Sequence, residues 1–558
     1  MKRKSLYLTL MLPALALMPA EAEACTNLIA GPKATTDGSV LVTYAADSHN
    51  LYGMLTHTPA ADHAPGSIRK VVEWDTGKPL GSIPQIPHTY NVVGNMNEHQ
   101  VAIGESTWGG HDELVDTTGN AVIDYGSLIQ IALERSKTAR EAIDVMTDLV
   151  DKYGYASSGE SFSIADKNEV WVLEMIGKGA EKGAVWIAVR IPDDAISGHA
   201  NEPRIRQVDM KDKKNVLFSK DVISFARKRG YFNGKDSEFS FADAYSTHDK
   251  GTRRGCDGRV WSYFRRFKPE PDKYFTWCNG ESDEPMPLYI VPDRKVSLKE
   301  MQESMRDHFE GTPFEMTSDV GAGPNHVPYR WRPMEYEVDG KTYTNERAIA
   351  TQQTGWSFVS QSRADLPDPV GGVLWFGTDD TNTTVYMPFY CSMTEIPAQL
   401  AEGDVNTFSF DSNFWMTNWV ANQAYNRYDL MIPDIRKVQG ALEEKYQSTR
   451  SEREKELVAI LESGDDKAFR QSVNREGKDI AKEATDAYRD LGIYLFVKFM
   501  DGNMKKTDAD GNFIKSEYGL PVYPSFPGYD KKYYENIVKE TGLSLIHISE
   551  PTRHSLIS

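Results

Sequence analysis

The stretch CTNLIAGPKATTDGSVLVTYAAD, Cys25 to Asp47, limits what this chain can fold into more than any other. Two apolar runs flank Asp37-Gly38. Asp-Gly between such runs predicts a tight turn, because glycine takes positive φ without steric cost. Residues 39–47 are rich in β-branched and apolar side chains and predict the return strand of an antiparallel hairpin. A hairpin returns the end of its second strand to the start of its first, so Asp47 is expected beside Cys25. The plainer readings are a small buried hydrophobe at Cys25 and a strand-end carboxylate at Asp47.

What precedes Cys25 gives it a second meaning. Lys2, Arg3 and Lys4 open the chain, SLYLTLMLPALALMPA follows as an apolar run broken by Pro13, and Ala22-x-Ala24 supplies small residues. This is the pattern of a cleaved secretory signal, residues 1–24, with an apolar run too short to span a bilayer. Cleavage after Ala24 makes Cys25 the mature N-terminus of a secreted or periplasmic protein. A lipoprotein also starts at Cys, but its signal favours Leu where this chain has Ala22, and Glu23 follows. An N-terminal cysteine carries two chemical tools. Its thiolate is a strong nucleophile, and its α-amine, with an ordinary pKa of about 7.7–8.0, can take the thiol proton.

Composition narrows the classes. The 558 residues carry a net charge of −18, with 40% hydrophobic and 11% aromatic residues. That suits a packed globular protein of one large domain plus extensions, and it argues against nucleic-acid binding, which needs clustered Lys and Arg. No second apolar run of spanning length follows the signal, so no membrane partner is expected after cleavage. The four cysteines are too few for a disulfide scaffold, although Cys256 and Cys278 could pair; the alternative is that both are free and buried. There is no CxxC or HExxH spacing, and no metal or cofactor is expected.

Longer motifs then add up: CTNLIAGPKATTDGSVLVTYAADS at 25–48, NVVGNMNEHQVAIGESTWGG at 91–110, SFSIADKNEVWVLEMIGKG at 161–179, WIAVRIPDDAISGHANEPRIRQV at 186–208 and GGVLWFGTDDTNTTVYMPFYCSMTEIP at 371–397. Together they resemble the C69 family of cysteine dipeptidases, which are N-terminal nucleophile hydrolases, with choloylglycine hydrolases and penicillin V acylases as more distant relatives. The resemblance covers roughly residues 25–500. It implies an α+β fold, a four-layer αββα sandwich of two antiparallel sheets between helical layers, over 25–405. Residues 406–543 form a helix-rich C-terminal part packed on it. It implies small peptide substrates and allows a homo-oligomer. The local signals agree: 125–154 has helical spacing with one apolar face, and NEVWVLEM and AVWIAVRIP are dense apolar strands.

The resemblance also assigns residues. Cys25 matches the nucleophile and Asp47 the aspartate at its α-amine. Asn201 matches the side chain that donates to the developing oxyanion, where charge must be met by a donor. Arg259 matches an active-site arginine that could keep the thiolate charged or hold a substrate carboxylate. Relatives carry Arg three residues before the aspartate, and here Tyr44 stands there, free to hydrogen-bond or pack. In the second hairpin a one-residue shift leaves Ser106 or Thr107 to offer a hydroxyl, with Trp108 as a pocket wall. The expected activity is cysteine-type dipeptide hydrolysis; the alternatives are an amide acylase and a non-catalytic envelope lipoprotein. Further on, TDADGNFI (507–514) resembles a calcium loop but lacks the distal glutamate, so it reads as a polar turn. PVYPSFPGYDKKYY is expected over the surface, and residues 544–558 read as a non-native tail with no role.

Overall fold

The computed structural model describes residues 25–269 and 271–541; the expected signal segment and the expected tail lie outside the described residues. Two antiparallel sheets dominate. The first has seven strands, in the order Tyr289–Ile290, Ile196–His199, Asn27–Ala30, Val40–Asp47, Thr354–Ser362, Val373–Thr378, Met387–Tyr390. The second has eight strands, with Gly159–Ala165 between Ala102–Trp108 and Val170–Lys178. Six strands position the site: β1 (Asn27–Ala30), β2 (Val40–Asp47), β3 (Ala102–Trp108), β4 (Gly159–Ala165), β5 (Ile196–His199) and β6 (Thr354–Ser362).

The expected hairpin is β1–β2, with Ile29 opposite Val42 and Thr26 bridged to Ala45. Its turn is wider than Asp-Gly alone predicts: residues 31–39 form the connection, with Gly38 at φ 79°. The reason is tertiary. Lys33 N–H donates to the Asp193 carbonyl at 2.8 Å and Thr36 N–H to Val296 at 3.0 Å, so neighbouring segments hold the loop open. The helical spacing of 125–154 resolves into two helices, α1 (Tyr125–Arg135) and α2 (Ala139–Tyr153). Thr138 ends the first reading frame by capping the second helix, its hydroxyl accepting from Glu141 N–H at 3.2 Å.

Three cores follow from the alternation of side chains along the strands. One lies between the sheets: Ile29, Val40 and Val42 from the first meet Val170, Val172, Ile187 and Val189 from the second. Another sits between the second sheet and α1–α2, with Ile103, Ile164, Leu128 and Ile143. The largest covers the outer face of the first sheet, where Leu41, Phe358, Phe376 and Phe389 meet α3 (Gly258–Phe267) and the C-terminal helices 413–424, 428–448 and 466–499. These helices share buried side chains with the sheet, among them Val420, Ile435 and Leu495. Residues 507–513 form a polar turn closed on Asp508, and Tyr518, Tyr523 and Phe526 are exposed. Among the described residues no helix is long and apolar enough to cross a membrane.

The two sheets approach closely at Gly104. A Cβ there would run into Asn27 Oδ1 and lie 3.2 Å from Tyr44 Cβ. Asn27 needs that approach, because its amide donates to the Glu105 carbonyl across the gap. Gly104→Ala is therefore expected to cost about 1–3 kcal/mol by overpacking. A urea denaturation midpoint equal to that of the unchanged chain would show that the two sheets have slack at this point.

Candidate active site

Cys25 stands just before β1, at the end of the hairpin where β2 finishes in Asp47. It is buried, 4% exposed, as is Asp47 at 1%. The hairpin register brings the two together as the sequence predicts, since Thr26 pairs with Ala45. Around them sits a ring of polar side chains from four distant segments.

Arg259, from the first turn of α3, is the most connected. Its guanidinium is completely buried. Nε donates to the Gly255 carbonyl at 2.8 Å. One terminal nitrogen donates to the Cys25 carbonyl at 3.0 Å and the Thr26 hydroxyl at 2.8 Å. The other donates to the Ala200 carbonyl at 3.1 Å and to Asn201 Oδ1 at 2.9 Å. A guanidinium has five N–H groups, and all five are used. Arg259 therefore ties the Cys25 backbone to the Asn201 loop, and the expectation that it holds a substrate carboxylate is corrected: it has no donor left to offer.

Asn201 sits in the left-handed region, φ 59°, where a side chain is held only by its surroundings. Because Oδ1 accepts from Arg259, the amide's orientation is set and Nδ2 is the donating end; it reaches the Thr107 carbonyl at 2.5 Å. Thr107 thus enters the site through its backbone, while its hydroxyl donates to Glu160 at 2.8 Å. The other second-hairpin candidates point elsewhere. Ser106, in hydrogen bond at 2.7 Å with His199, is spent between the sheets, and the other nitrogen of that imidazole contacts Ser163 at 2.7 Å. Trp108 packs edge-on against Phe241 in the inter-sheet core. Strand alternation explains both: residues 104, 106 and 108 share the face that meets the first sheet. Neither is a substrate-binding residue of this geometry. Cys256 and Cys278 are free thiols, and the possible disulfide is not made. Cys256 Sγ is directed at the Asn201 carbonyl, 3.5 Å away, and Cys278 Sγ at Met286 Sδ, 3.9 Å away.

Three residues of the site were not anticipated. Glu105 Oε1 accepts a hydrogen bond from the Cys25 thiol at 3.3 Å, and the same oxygen accepts from the Tyr44 hydroxyl. Tyr44 itself lies 3.7 Å from Sγ and packs edge-on against Trp356, ring centres 5.0 Å apart. Glu160, on the neighbouring strand β4, is buried beside Glu105. A glutamate inside a strand as apolar as VAIGESTW is the signal that could have found Glu105, because buried carboxyls seldom lack a role. Arg347 is the third. Its guanidinium contacts Asp47 Oδ2 at 3.5 Å, and Thr354 donates to the other oxygen at 2.7 Å. The cation that meets Asp47 thus comes from a segment 300 residues later, and no local pattern announces it.

The electrostatics are acid-rich. Burial, then the charges of Glu105 and Asp47, push the Cys25 thiol well above its ordinary range. Burial raises Asp47 to about 6 against the pull of Arg347 and Thr354. Burial raises Glu105 to about 7, opposed by the Tyr44 hydrogen bond. Arg347 falls to about 9 through burial and the Arg259 charge. With a peptide bond at its nitrogen, Cys25 is a neutral thiol at pH 7. A positive charge released nearby is what would lower it.

The chain matches the family described as Peptidase family C69 over residues 24–441. A probable dipeptidase of Salmonella dublin is 27% identical over 390 residues, 66% of this chain and 81% of that one. A probable dipeptidase of Latilactobacillus sakei is 26% identical over 67% of this chain and 76% of its own. A dipeptidase of Bifidobacterium longum is 25% identical over 71% and 76%. The solved penicillin V acylase of Agrobacterium tumefaciens covers 67% of this chain and 87% of its own at 11% identity, with a TM-score of 0.29.

The raised Glu105 makes a pH prediction. Its folded-state affinity for a proton exceeds its unfolded one, so its contribution to stability is full below the ordinary glutamate pKa of about 4.3 and is lost as pH rises through about 7. Glu105→Gln removes that loss. The melting temperature of the variant minus that of the unchanged chain is expected to increase between pH 5 and 8 in thermal scans. A difference that stays constant with pH would show an ordinary carboxyl.

Proposed function

This chain belongs to peptidase family C69, and from that premise we propose that it is a secreted or periplasmic cysteine dipeptidase working through an N-terminal nucleophile. Peptide-bond hydrolysis is the family's chemistry; the relatives named above as dipeptidases support the shorter substrate. The three stacked cores support the helix–sheet–sheet–helix layering of N-terminal nucleophile hydrolases as the fold reading. The observation that carries the mechanism is the Arg259 guanidinium. It joins the Cys25 backbone and the Asn201 side chain into one rigid unit.

Removal of residues 1–24 frees the Cys25 α-amine. The amine takes the proton from Sγ, and the ammonium it becomes stabilises the thiolate against the surrounding carboxyls. Sγ then bonds to the scissile carbonyl carbon, whose π electrons move to the oxygen. Asn201 Nδ2 and backbone N–H groups meet that oxyanion. The C–N bond breaks as the ammonium returns its proton to the leaving amine. Water attacks the thioester with the amine again as base, which releases the acid and restores the thiol. Asp47, held by Arg347 and Thr354, faces the ammonium and keeps it in place.

Two preparations test this, one starting at Cys25 and one with an additional Met before it. Hydrolysis of a dipeptide panel is expected from the first, with at least about a hundredfold loss in the second, as expected when a general base is removed. Equal rates would refute the role of the α-amine. Silence of both on dipeptides, with turnover of penicillin or bile-salt amides, would favour the acylase reading.

A further inference from the structure

The loop that carries Asn201 is held at its far end by a carboxylate buried in the second sheet. Glu174 sits in the middle of the strand Val170–Lys178, which pairs with β4, and it is 0% exposed. Its neighbours along the same face, Val172 and Ile176, belong to the core between the sheets. Glu174 reaches from that row to the loop. Its Oε1 accepts from the N–H groups of Arg204 and Ile205, and its Oε2 lies 3.1 Å from Ile205 N. Two successive N–H groups aimed at one carboxylate form a small anion nest. The nest is the loop's own backbone, so the contact fixes main chain. Burial raises Glu174 to about 7, and those two N–H groups are the chief opposition. The Arg204 side chain fastens the same residue elsewhere: Nε donates to Asp257 at 2.9 Å, and a terminal nitrogen to the Gly198 carbonyl at 2.7 Å.

We propose that Glu174 is a positioning residue for the oxyanion donor: by anchoring the backbone at 204 and 205 to the second sheet, it sets where the Asn201 amide meets the developing charge. The inference rests on the N-terminal nucleophile reading above and goes beyond it. Asn201 is fixed at its own end by Arg259 on Oδ1 and by the Thr107 carbonyl on Nδ2. Glu174 supplies the second point. Register relates the two. Glu174 stands opposite Ser161, and Ser161 opposite Ser106, the neighbour of Thr107. The two anchors on the second sheet are thus two strands apart, about 10 Å. The step from Asn201 to Arg204 spans at most about 11 Å, and Pro203 within it has one backbone torsion fixed. An anchor at 204 therefore leaves position 201 little room to move. Asn201 itself holds a left-handed backbone, φ 59°, a state that surrounding contacts must maintain. With one anchor released, the loop relaxes and carries the amide away from the reacting carbonyl. A displacement of about 1 Å at such a contact costs about a hundredfold in rate.

The test is Glu174→Gln in the mature chain, which keeps the shape of the side chain but sets an amide against one of the two N–H groups. On a dipeptide, kcat is expected to fall about ten- to a hundredfold with KM within about threefold. Alkylation of Cys25 by iodoacetamide, followed by the mass of the N-terminal peptide, reads the nucleophile alone, because Sγ displaces iodide and no oxyanion forms. Its rate should stay within about twofold, since the thiol and the amine are untouched. Amide exchange on the unchanged chain decides the matter even where the variant does not fold. A peptide aldehyde adds Cys25 Sγ to its carbonyl carbon and presents the resulting oxyanion to Asn201; it should slow exchange at Arg204 and Ile205 more than in α2. Unchanged kcat, an equal fall in kcat and in alkylation rate, or no extra protection at Arg204 and Ile205 would overturn the inference and leave the dipeptidase reading standing. No dipeptide hydrolysis by the unchanged mature chain would overturn that reading and the inference with it.

Discussion

The buried guanidinium of Arg259 is the interaction on which the site depends. It brings a full charge into the protein's interior with no carboxylate in contact, which is tolerable only because all five N–H groups find acceptors. Those acceptors come from three places in the chain: the head of β1, the loop after β5 and the start of α3. The first two are neighbours through the pairing of β1 with β5, Asn27 opposite His199; the third comes from a separate helical segment. The guanidinium fastens the helical segment to that strand pair, with Cys25 and the amide of Asn201 at set positions. Lysine could not do the same, since it has no planar fork.

Around that unit the charges are layered. Asp47 has Arg347 as its counter-ion; Glu105 and Glu160 have none among the described residues. A chain whose Cys25 nitrogen is still in a peptide bond therefore holds a suppressed thiol in an acid-rich pocket. In the proposed cycle one ammonium group forms in that pocket, that of Cys25 itself after processing. It would favour the thiolate against the surrounding carboxyls.

Much of this was legible from residues alone. The Cys25–Asp47 hairpin and its pairing could be read because strand periodicity and turn chemistry are local. Cys25, Asp47, Asn201 and Arg259 could be picked by resemblance, and the structure brings all four together. The choice among Ser106, Thr107 and Trp108 could not be made, because a shift of one residue along a strand exchanges its two faces. Ser106 and Trp108 proved to face the inter-sheet core. Glu105 was visible as an oddity in an apolar strand, yet its partner Tyr44 lies on the other sheet.

What the sequence by itself determined is the leading elements and the candidate nucleophile: alternation, turn residues and helical spacing act over a few residues and need no partner to be read. The tertiary structure alone decided which carboxyl faces the thiol, which arginine faces Asp47, and that Arg259 has no donor left for substrate. Those facts depend on contacts between segments tens to hundreds of residues apart, such as Arg347 on Asp47. Burial then sets their chemistry, because the proton affinity of a group such as Glu105 is a property of its surroundings and not of its type.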